Sequence, residues 1–312
     1  MLQVQNLTLA VPGPLTALRS LSFSLAEGGS LGIVGESGSG KTLTALAIAG
    51  LSAPQIQRTA GSISFAGREL TTLDTASMRA LRGRELAVIF QDSSGALNPL
   101  MPVLEQITEG MTLFDKLPAK EAAARAAQLA TEVELPQSAL EKYPHQLSGG
   151  QRQRVMIAIA LARQPRMVIA DEPTTALDLT TQQALLELLL RLHQQQGSAL
   201  LLISHDISVV RKLCQELIVL YAGEVMERGA TAVILANPRH PYTKGLLGAL
   251  PTFAKRGQPL ATLGGFAEPI QARPDSGCVF RRRCSQSEEG CQHQVPSRSY
   301  EDGVTVHCHL TA

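Results

Sequence analysis

The sequence lacks any apolar run long enough to cross a membrane. The longest candidate, Val155–Ala162, has eight residues, whereas a helix that spans a bilayer needs about 18. The first residues lack a basic stretch followed by an apolar core, so we expect no secretory signal. Lysine and arginine total 28 and aspartate and glutamate 27, a balance that gives no electrostatic case for nucleic-acid binding. These absences favour a chain that stays in the cytosol.

The 312 residues, 44% apolar and 18% charged, have an ordinary globular composition that excludes wholesale disorder. Short apolar runs alternate with helical segments such as Gln182–Gln196, a pattern that predicts an α/β fold with a mainly parallel sheet. The predicted core strands are Leu31–Val34, Leu86–Phe90, Met167–Ala170, Ala199–Ser204 and Leu217–Tyr221. Short alternating strands are predicted for residues 2–26, and a further strand for residues 61–68.

A change of pattern near residue 235 predicts a domain boundary. Proline, glycine, arginine and cysteine dominate after it, and long periodic segments stop. We therefore expect residues 1–235 to form one domain, with a mostly helical insert at about residues 92–165. Residues 236–312 would then form a C-terminal extension.

A glycine-rich loop lies between the predicted strand Leu31–Val34 and a predicted helix at Thr42–Leu51. It matches G-x-x-x-x-G-K-[ST] in the strand–loop–helix context that this motif requires. Glycine lets backbone N–H groups approach phosphate oxygens, and the helix N-terminus adds a favourable dipole. The alternative is a turn without a ligand. The motif predicts a nucleotide site formed by Gly35, Glu36, Ser37, Gly38, Ser39, Gly40, Lys41 and Thr42, with Lys41 on the phosphates and Thr42 on Mg²⁺.

Two acidic residues follow the predicted strand Met167–Ala170. Asp171 and Glu172 stand at its C-terminal end, where ligands bind in parallel sheets. Asp171 is placed to hold Mg²⁺, directly or through water, and Glu172 to polarise an attacking water. Alone, such acids are more often a solvated strand end. Together with the phosphate loop they predict nucleotide hydrolysis.

Four further motifs complete a recognisable series. Leu147–Gln151 reads Leu-Ser-Gly-Gly-Gln before a helical run, and in isolation Ser148 would be a helix N-cap. Gln91 follows the predicted strand Leu86–Phe90, Asp178 follows the acidic pair, and His205 follows the strand that ends at Ser204. In this order the motifs resemble those of the ATP-binding cassette (ABC) ATPases, over about residues 1–235.

The resemblance implies an ABC-type P-loop NTPase fold, with a RecA-like parallel-sheet core, an antiparallel β subdomain and a helical subdomain. In that family two domains form a head-to-tail dimer with ATP between them. One subunit contributes the phosphate loop, and the other contributes the signature, here Ser148, Gly149, Gly150 and Gln151. The resemblance makes Glu172 the catalytic base, places His205 on the γ-phosphate and gives Gln91 a role in sensing Mg²⁺ and the attacking water.

One departure from the family concerns adenine. Members usually carry an aromatic residue near the end of the first strand, which stacks on the base. Val11 stands at this position, and residues 1–22 contain no aromatic residue. Base–aromatic stacking is worth about 1–3 kcal/mol. We therefore expect either weaker nucleotide affinity or an adenine contact supplied by another residue.

Three more segments resemble one branch of the family, the ATPases of peptide and nickel importers. They are Ile89–Asp92 with Leu97–Leu100, Tyr143–Gln146, and His240–Leu247. The branch implies a bacterial importer of peptides, nickel or a metal chelate, with the ATPase on the cytoplasmic face of the inner membrane. Its expected partners are a second, related ATPase chain, two membrane permease subunits and an extracytoplasmic binding protein. A non-transport ABC ATPase is the alternative.

Four of the five cysteines lie in the last 35 residues, with the spacing C-x5-C-x6-C-x16-C. This spacing lacks the C-x2-C pairs of common zinc sites, and four thiolates would suit a [4Fe–4S] cluster. The resemblance to the importer branch implies such a cluster. The runner-up is zinc held by three cysteines with His307 or His309, and unligated thiols are the third interpretation. The cysteines concerned are Cys278, Cys284, Cys291 and Cys308.

Two other features of the sequence have simpler interpretations. Cys214, between Leu213 and Gln215, is predicted to be a small buried hydrophobic residue. The basic run Arg281–Arg283 is predicted to be a solvated face or a contact with phospholipid headgroups, in preference to a nucleic-acid site.

Overall fold

The chain forms two compact units, each assembled from separate stretches of sequence. The first comprises Met1–Leu25, Ser30–Thr71 and Ile203–Ala312, and the second comprises Ala26–Gly29 and Thr72–Leu202. The computed structural model describes residues 1–13, 15–174, 178–249, 263–265, 269–274, 276–293 and 295–310.

The described residues form both strands and helices. The strands are β1 (Leu2–Val11), β2 (Leu15–Leu25), β3 (Ser30–Val34), β4 (Gln57–Phe65), β5 (Arg68–Glu69), β6 (Leu86–Ile89), β7 (Met167–Asp171), β8 (Ala199–Ser204), β9 (Glu216–Tyr221), β10 (Glu224–Ala230), β11 (Ser297–Ser299) and β12 (Thr305–His307). The α-helices are α1 (Lys41–Ala49), α2 (Thr75–Arg84), α3 (Ser93–Ala96), α4 (Val103–Phe114), α5 (Ala119–Glu132), α6 (Gly149–Leu161), α7 (Leu179–Gln196), α8 (Ile207–Leu213), α9 (Thr231–Ala236) and α10 (Pro241–Gly248). The predicted α/β class is confirmed.

The first unit contains an antiparallel sheet with the strand order β2-β1-β4-β5. Its strands alternate in burial, as a sheet with one solvated face requires. In β1, for example, Leu2 and Val4 are buried whereas Gln3 and Gln5 are exposed. The alternating strands that the sequence predicted for residues 2–26 are therefore confirmed.

The first unit also contains strands in the order β11-β12-β10-β9-β3. β3 and β9 are parallel, with Leu31 opposite Glu216 and Val34 opposite Val219. Every residue of β3 is buried, as expected for a parallel strand covered on both faces. β10 runs antiparallel to both β9 and β12. Through β12, the end of the chain adds to the strands that carry the phosphate loop.

The second unit contains residues 199–202 of β8, together with β7 and β6, in that order. β6 and β7 are parallel. All residues of β7 are buried. The helices α4, α5 and α6 pack on one another, with Ile107, Leu129 and Val155 among their buried side chains. Among the helices of the described ranges, none has both the length and the apolar character to cross a bilayer.

Candidate nucleotide-binding site

The loop between β3 and α1 carries the glycine-rich motif and passes very close to β9. A Cβ atom on Gly35 would overlap the carbonyl oxygen of Leu220, so only glycine fits there. Gly40, the N-cap of α1, has a φ of +102°, a conformation that glycine adopts readily and other residues avoid. The loop geometry thus depends on the glycines that the motif specifies.

Lys41 holds its charge inside this loop. The side chain is buried, and Nζ donates to the carbonyl oxygens of Gly35 at 2.7 Å and Glu36 at 2.9 Å. Ser39 Oγ is also buried and has no hydrogen-bond partner within the described ranges. Buried polar atoms are normally paired. A glycine cradle, a positive charge and an orphaned hydroxyl together fit a phosphate group.

Glu36 ties the phosphate loop to the C-terminal extension. Its backbone N–H donates to the hydroxyl of Tyr242 at 3.0 Å. Its carboxylate accepts two hydrogen bonds from Arg283, at 2.6 Å from Nη1 and 3.1 Å from Nη2. This paired geometry is typical of arginine–carboxylate recognition, and the bond to Glu36 raises the pKa of Arg283.

The prediction for the basic run was wrong for Arg283. Its side chain is only 6% exposed, and Nη1 also donates to the Tyr221 hydroxyl at 3.3 Å. A buried guanidinium must find acceptors, and Glu36 supplies them. Arg282, by contrast, is exposed. Arg283 therefore belongs to the wall of the phosphate loop.

An aromatic cluster lies next to the ion pair of Arg283 and Glu36. The rings of Tyr242 and Tyr221 have centroids 4.7 Å apart, and Phe280 is 5.2 Å from each. His240 caps α10, since its Nδ1 accepts the Tyr242 N–H at 3.0 Å. Burial lowers the pKa of His240 to about 3, so the ring is neutral. The sequence did not predict this cluster. Its only indication was the segment His240–Leu247, one of the three segments that resemble the ATPases of peptide and nickel importers.

A cavity of about 420 Å³ opens beside the phosphate loop in the first unit. Ser37 and Gly38 of the loop line one part of it, and Val11 from β1 lines another. Ile270 and Arg273 of the C-terminal extension complete its wall. Residue 11, where members of the family usually carry an aromatic residue, therefore faces this cavity. Residues of the C-terminal extension line the cavity as well.

In the second unit, Gln91 contacts one residue of the acidic pair, Glu172. Asp171, the last residue of β7, is buried. Glu172 follows it with a φ of +46°, a left-handed conformation that is rare for glutamate. Gln91 Nε2 donates to Glu172 Oε2 at 3.1 Å. The structure therefore brings two of the three predicted catalytic side chains into contact.

The signature segment begins α6. Ser148 Oγ accepts the Gln151 N–H at 3.3 Å, and Gln151 Oε1 accepts the Ser148 N–H at 3.0 Å. This reciprocal pair is a capping box, so the N-cap interpretation of Ser148 is confirmed. Gly149 and Gly150 form the first turn, and a Cβ on Gly150 would lie 2.9 Å from Thr181 Cγ2.

Two predicted residues lie outside these clusters. His205 is exposed directly after β8, in the first unit. Asp178 caps α7 by accepting the Thr181 N–H at 3.0 Å. Residues 175–177, which directly precede Asp178, lie outside the described residues.

Three of the four tail cysteines, Cys278, Cys291 and Cys308, are buried, and Cys284 is partly exposed. Burial raises the pKa of the Cys278 thiol to about 12, with smaller contributions from Cys291, Cys308 and Cys284. The Cys278 N–H donates to the Cys291 carbonyl oxygen at 2.8 Å. In the described part of the chain, however, no group of three or more histidine, cysteine, aspartate or glutamate side chains is arranged to bind a metal ion. The donor chemistry thus suits a metal, but the arrangement is not that of a formed site. Cys214 is buried, as predicted.

The strand–phosphate loop–helix unit, the paired Gln91 and Glu172, and the capped signature helix are those of an ATP-binding cassette. The family model described as ABC transporter matches residues 18–175, and the model for the oligopeptide/dipeptide transporter C-terminal region matches residues 226–291. The chain belongs to the ABC transporter family and is an ATPase of that family.

Named relatives match this chain almost from end to end. The oligopeptide transport ATP-binding protein OppD of Salmonella typhimurium is 41% identical over 313 residues, which cover 99% of this chain and 93% of OppD. The dipeptide transport ATP-binding protein DppD of Escherichia coli is 42% identical over 299 residues, which cover 95% and 91%. The ATP-binding cassette MJ0796, a dimer bound to ADP and Pi in a post-hydrolysis state, is 30% identical with a TM-score of 0.67 and covers 74% of this chain and 99% of its own.

Proposed function

We propose that this chain is the ATP-hydrolysing subunit of a bacterial importer of peptides. The observation that carries the proposal is the alignment with OppD, which is 41% identical over 99% of this chain. The alignment includes the C-terminal region as well as the cassette. A cassette alone would fit many kinds of transporter, whereas residues 226–291 match the oligopeptide/dipeptide model.

The phosphate loop would bind ATP through residues of the first unit. Backbone N–H groups of Gly35–Gly40 and the Lys41 ammonium would receive the phosphate oxygens. The family resemblance assigns Mg²⁺ to Thr42, Gln91 and Asp171, and the cation would neutralise charge on the β- and γ-phosphates. Support comes from the buried Lys41 and from the buried Ser39 hydroxyl, which has no hydrogen-bond partner among the described residues.

Glu172 would accept a proton from the attacking water. The Gln91 amide, 3.1 Å away, donates to one carboxylate oxygen and would orient the other toward water. His205 would contact the γ-phosphate, as the resemblance implies. General base catalysis of this kind contributes about 10²–10⁴-fold to a rate.

A second ATPase chain, related but distinct, would complete the enzyme. The signature residues Ser148, Gly149, Gly150 and Gln151 would approach the ATP of that partner chain. Their capping box fixes the start of α6, and a helix N-terminus favours a phosphate group. ATP would hold the two chains together, and hydrolysis would release them.

Two permease subunits in the inner membrane would form the path for the cargo. An extracytoplasmic binding protein would select the cargo together with them. This chain would sit on the cytoplasmic face and move the permeases through residues 92–110. Leu100 in this segment is 84% exposed.

The cargo can be tested by uptake in cells that lack the gene. We expect uptake of labelled di- and oligopeptides to fall to background, and uptake of labelled nickel, with and without chelators, to persist. Selective loss of nickel uptake would instead make the chain a metal-importer ATPase. Unchanged uptake of every cargo would favour a non-transport ABC ATPase.

The [4Fe–4S] cluster remains a prediction for the four tail cysteines. If the cluster forms, protein purified without oxygen should contain about four iron atoms and four sulfide ions per chain. The variant Cys284→Ser should lose them, and Cys214→Ser should keep them because Cys214 is buried elsewhere in the fold. One equivalent of zinc would support the runner-up, and no metal at all would leave the thiols as a packed cluster.

A further inference from the structure

The cavity beside the phosphate loop must accept the base of a bound nucleotide without the usual aromatic residue. Val11 lines it where family members carry a ring. The phosphate loop fixes where the triphosphate would lie, and the cavity extends from Ser37 and Gly38 of that loop. The wall opposite the loop therefore decides how the base is held.

Tyr221 is the aromatic residue among the described residues that line this cavity, but its ring is already engaged. It packs against Tyr242 and Phe280, at centroid distances of 4.7 Å and 5.2 Å. The Arg283 guanidinium lies 5.5 Å from the same ring. Only 2% of Tyr221 is exposed. Its ring therefore has no open face on which a base could stack.

Arg273, by contrast, reaches the cavity with a planar group. Its Nη2 donates to the Gly38 carbonyl oxygen at 2.7 Å, and its Nη1 points to the Ala17 carbonyl oxygen at 3.4 Å. These two contacts fix the guanidinium between the phosphate loop and β2. The side chain is half-buried, and Ile270 lines the cavity from the same segment of the extension.

A fixed, partly desolvated guanidinium is a good partner for an aromatic ring. Arginine stacks on ring faces by combining cation–π attraction with planar contact, and lysine offers only the charge. Ile270 would add apolar contact to the edge of the ring. Because Arg273 and Ile270 both lie near the phosphate loop, one ligand can contact the loop and the C-terminal extension at the same time.

We propose that the C-terminal extension supplies the adenine-binding wall of the nucleotide site, with Arg273 stacking on the base and Ile270 packing beside it. Ile270 and Arg273, about 260 residues after Val11 in the chain, would thereby take the place of the aromatic ring that Val11 lacks. The inference rests on the ATP site of the proposed importer subunit and adds the residues that recognise the base.

The test compares ATP with inorganic tripolyphosphate, which has the phosphates but no base. Equilibrium binding of both to the full-length chain is measured for the wild type, Arg273→Lys and Ile270→Ala. Arg273→Lys keeps the charge and removes the planar group. Arg281→Lys is the matched control, because Arg281 lies in the same extension and bonds to the Ser276 carbonyl oxygen.

We expect Arg273→Lys to weaken ATP binding about 3- to 30-fold, because lysine loses the planar contact that arginine makes with a ring face, and Ile270→Ala to weaken it several-fold. Tripolyphosphate affinity should stay within about twofold of wild type, and Arg281→Lys should change neither ligand. Adding Val11→Tyr to Arg273→Lys should restore ATP affinity, since a ring at residue 11 faces the same cavity.

Equal losses for ATP and tripolyphosphate would overturn the inference, because the extension would then only support the loop. Unchanged ATP affinity in both variants would overturn it as well. If the wild-type chain bound no ATP at all, the proposed function itself would fail, and the adenine wall with it. Failure of the inference alone would leave wild-type ATP binding intact.

Discussion

Replacing Lys41 with alanine is expected to abolish tight ATP binding. The ammonium is buried in the phosphate loop and donates to the carbonyl oxygens of Gly35 and Glu36. A charged hydrogen-bond partner of this kind contributes up to about 3 kcal/mol, so affinity should fall about 100-fold. Isothermal titration with ATP measures the change directly.

The control for this prediction is Lys212→Ala, which removes an exposed lysine from α8 in the same unit. It should bind ATP as the wild type does. Because Lys41 also holds the loop, the thermal midpoint of each variant must be recorded. A folded Lys41→Ala chain with ATP affinity near that of the wild type would contradict the assignment of the loop.

Replacing Glu172 with glutamine should trap an ATP-loaded, closed dimer. An amide has nearly the shape of the carboxylate and can still accept the bond from Gln91, but it cannot take a proton from water. Turnover should therefore fall by about 10²–10⁴-fold, while ATP binding persists. Phosphate release measures turnover, and light scattering with ATP in the presence of the partner ATPase chain measures the dimer.

Glu187→Gln is the matched control, since Glu187 is an exposed carboxylate on α7 in the same unit. It should hydrolyse ATP at the wild-type rate and form no trapped dimer. Rapid turnover by Glu172→Gln would remove Glu172 from the role of base and leave the hydrolytic water to another residue.

The parts of the candidate site that the sequence predicted are local in the chain. The phosphate loop, its preceding strand and the helix after it lie within Ser30–Ala49. Each is specified by neighbouring residues, because apolar runs form buried strands and glycines open the loop. Asp171 and Glu172 follow β7 for the same reason. Such patterns can be identified without knowledge of tertiary contacts.

The contribution of the extension to the site could not be predicted in this way. Glu36 and Arg283 are 247 residues apart, and no periodicity links them. From the sequence alone, Arg283 was identified only as one residue of the basic run Arg281–Arg283. Its burial follows from the aromatic cluster around Tyr221 and Phe280, which forms only when the extension folds back onto the first unit's strands.

The predicted and observed boundaries of an element differ where the element begins with exposed or polar residues. The strand predicted at residues 61–68 is β4, which begins at Gln57 and ends at Phe65. Its first four residues are exposed, so hydrophobic alternation could not show them, yet Gln57, Arg58 and Ala60 pair with β1. Similarly, the helix predicted to begin at Gln182 begins at Leu179, because Asp178 supplies its cap.

The central claim is that ATP hydrolysis by this chain drives peptide import. It is tested most directly by labelled oligopeptide uptake in cells that lack the gene, complemented with the wild type, Lys41→Ala or Lys212→Ala. The account predicts that the wild type and Lys212→Ala restore uptake and that Lys41→Ala, expressed at the same level, does not. Full uptake with Lys41→Ala, or none with the wild type, would contradict it.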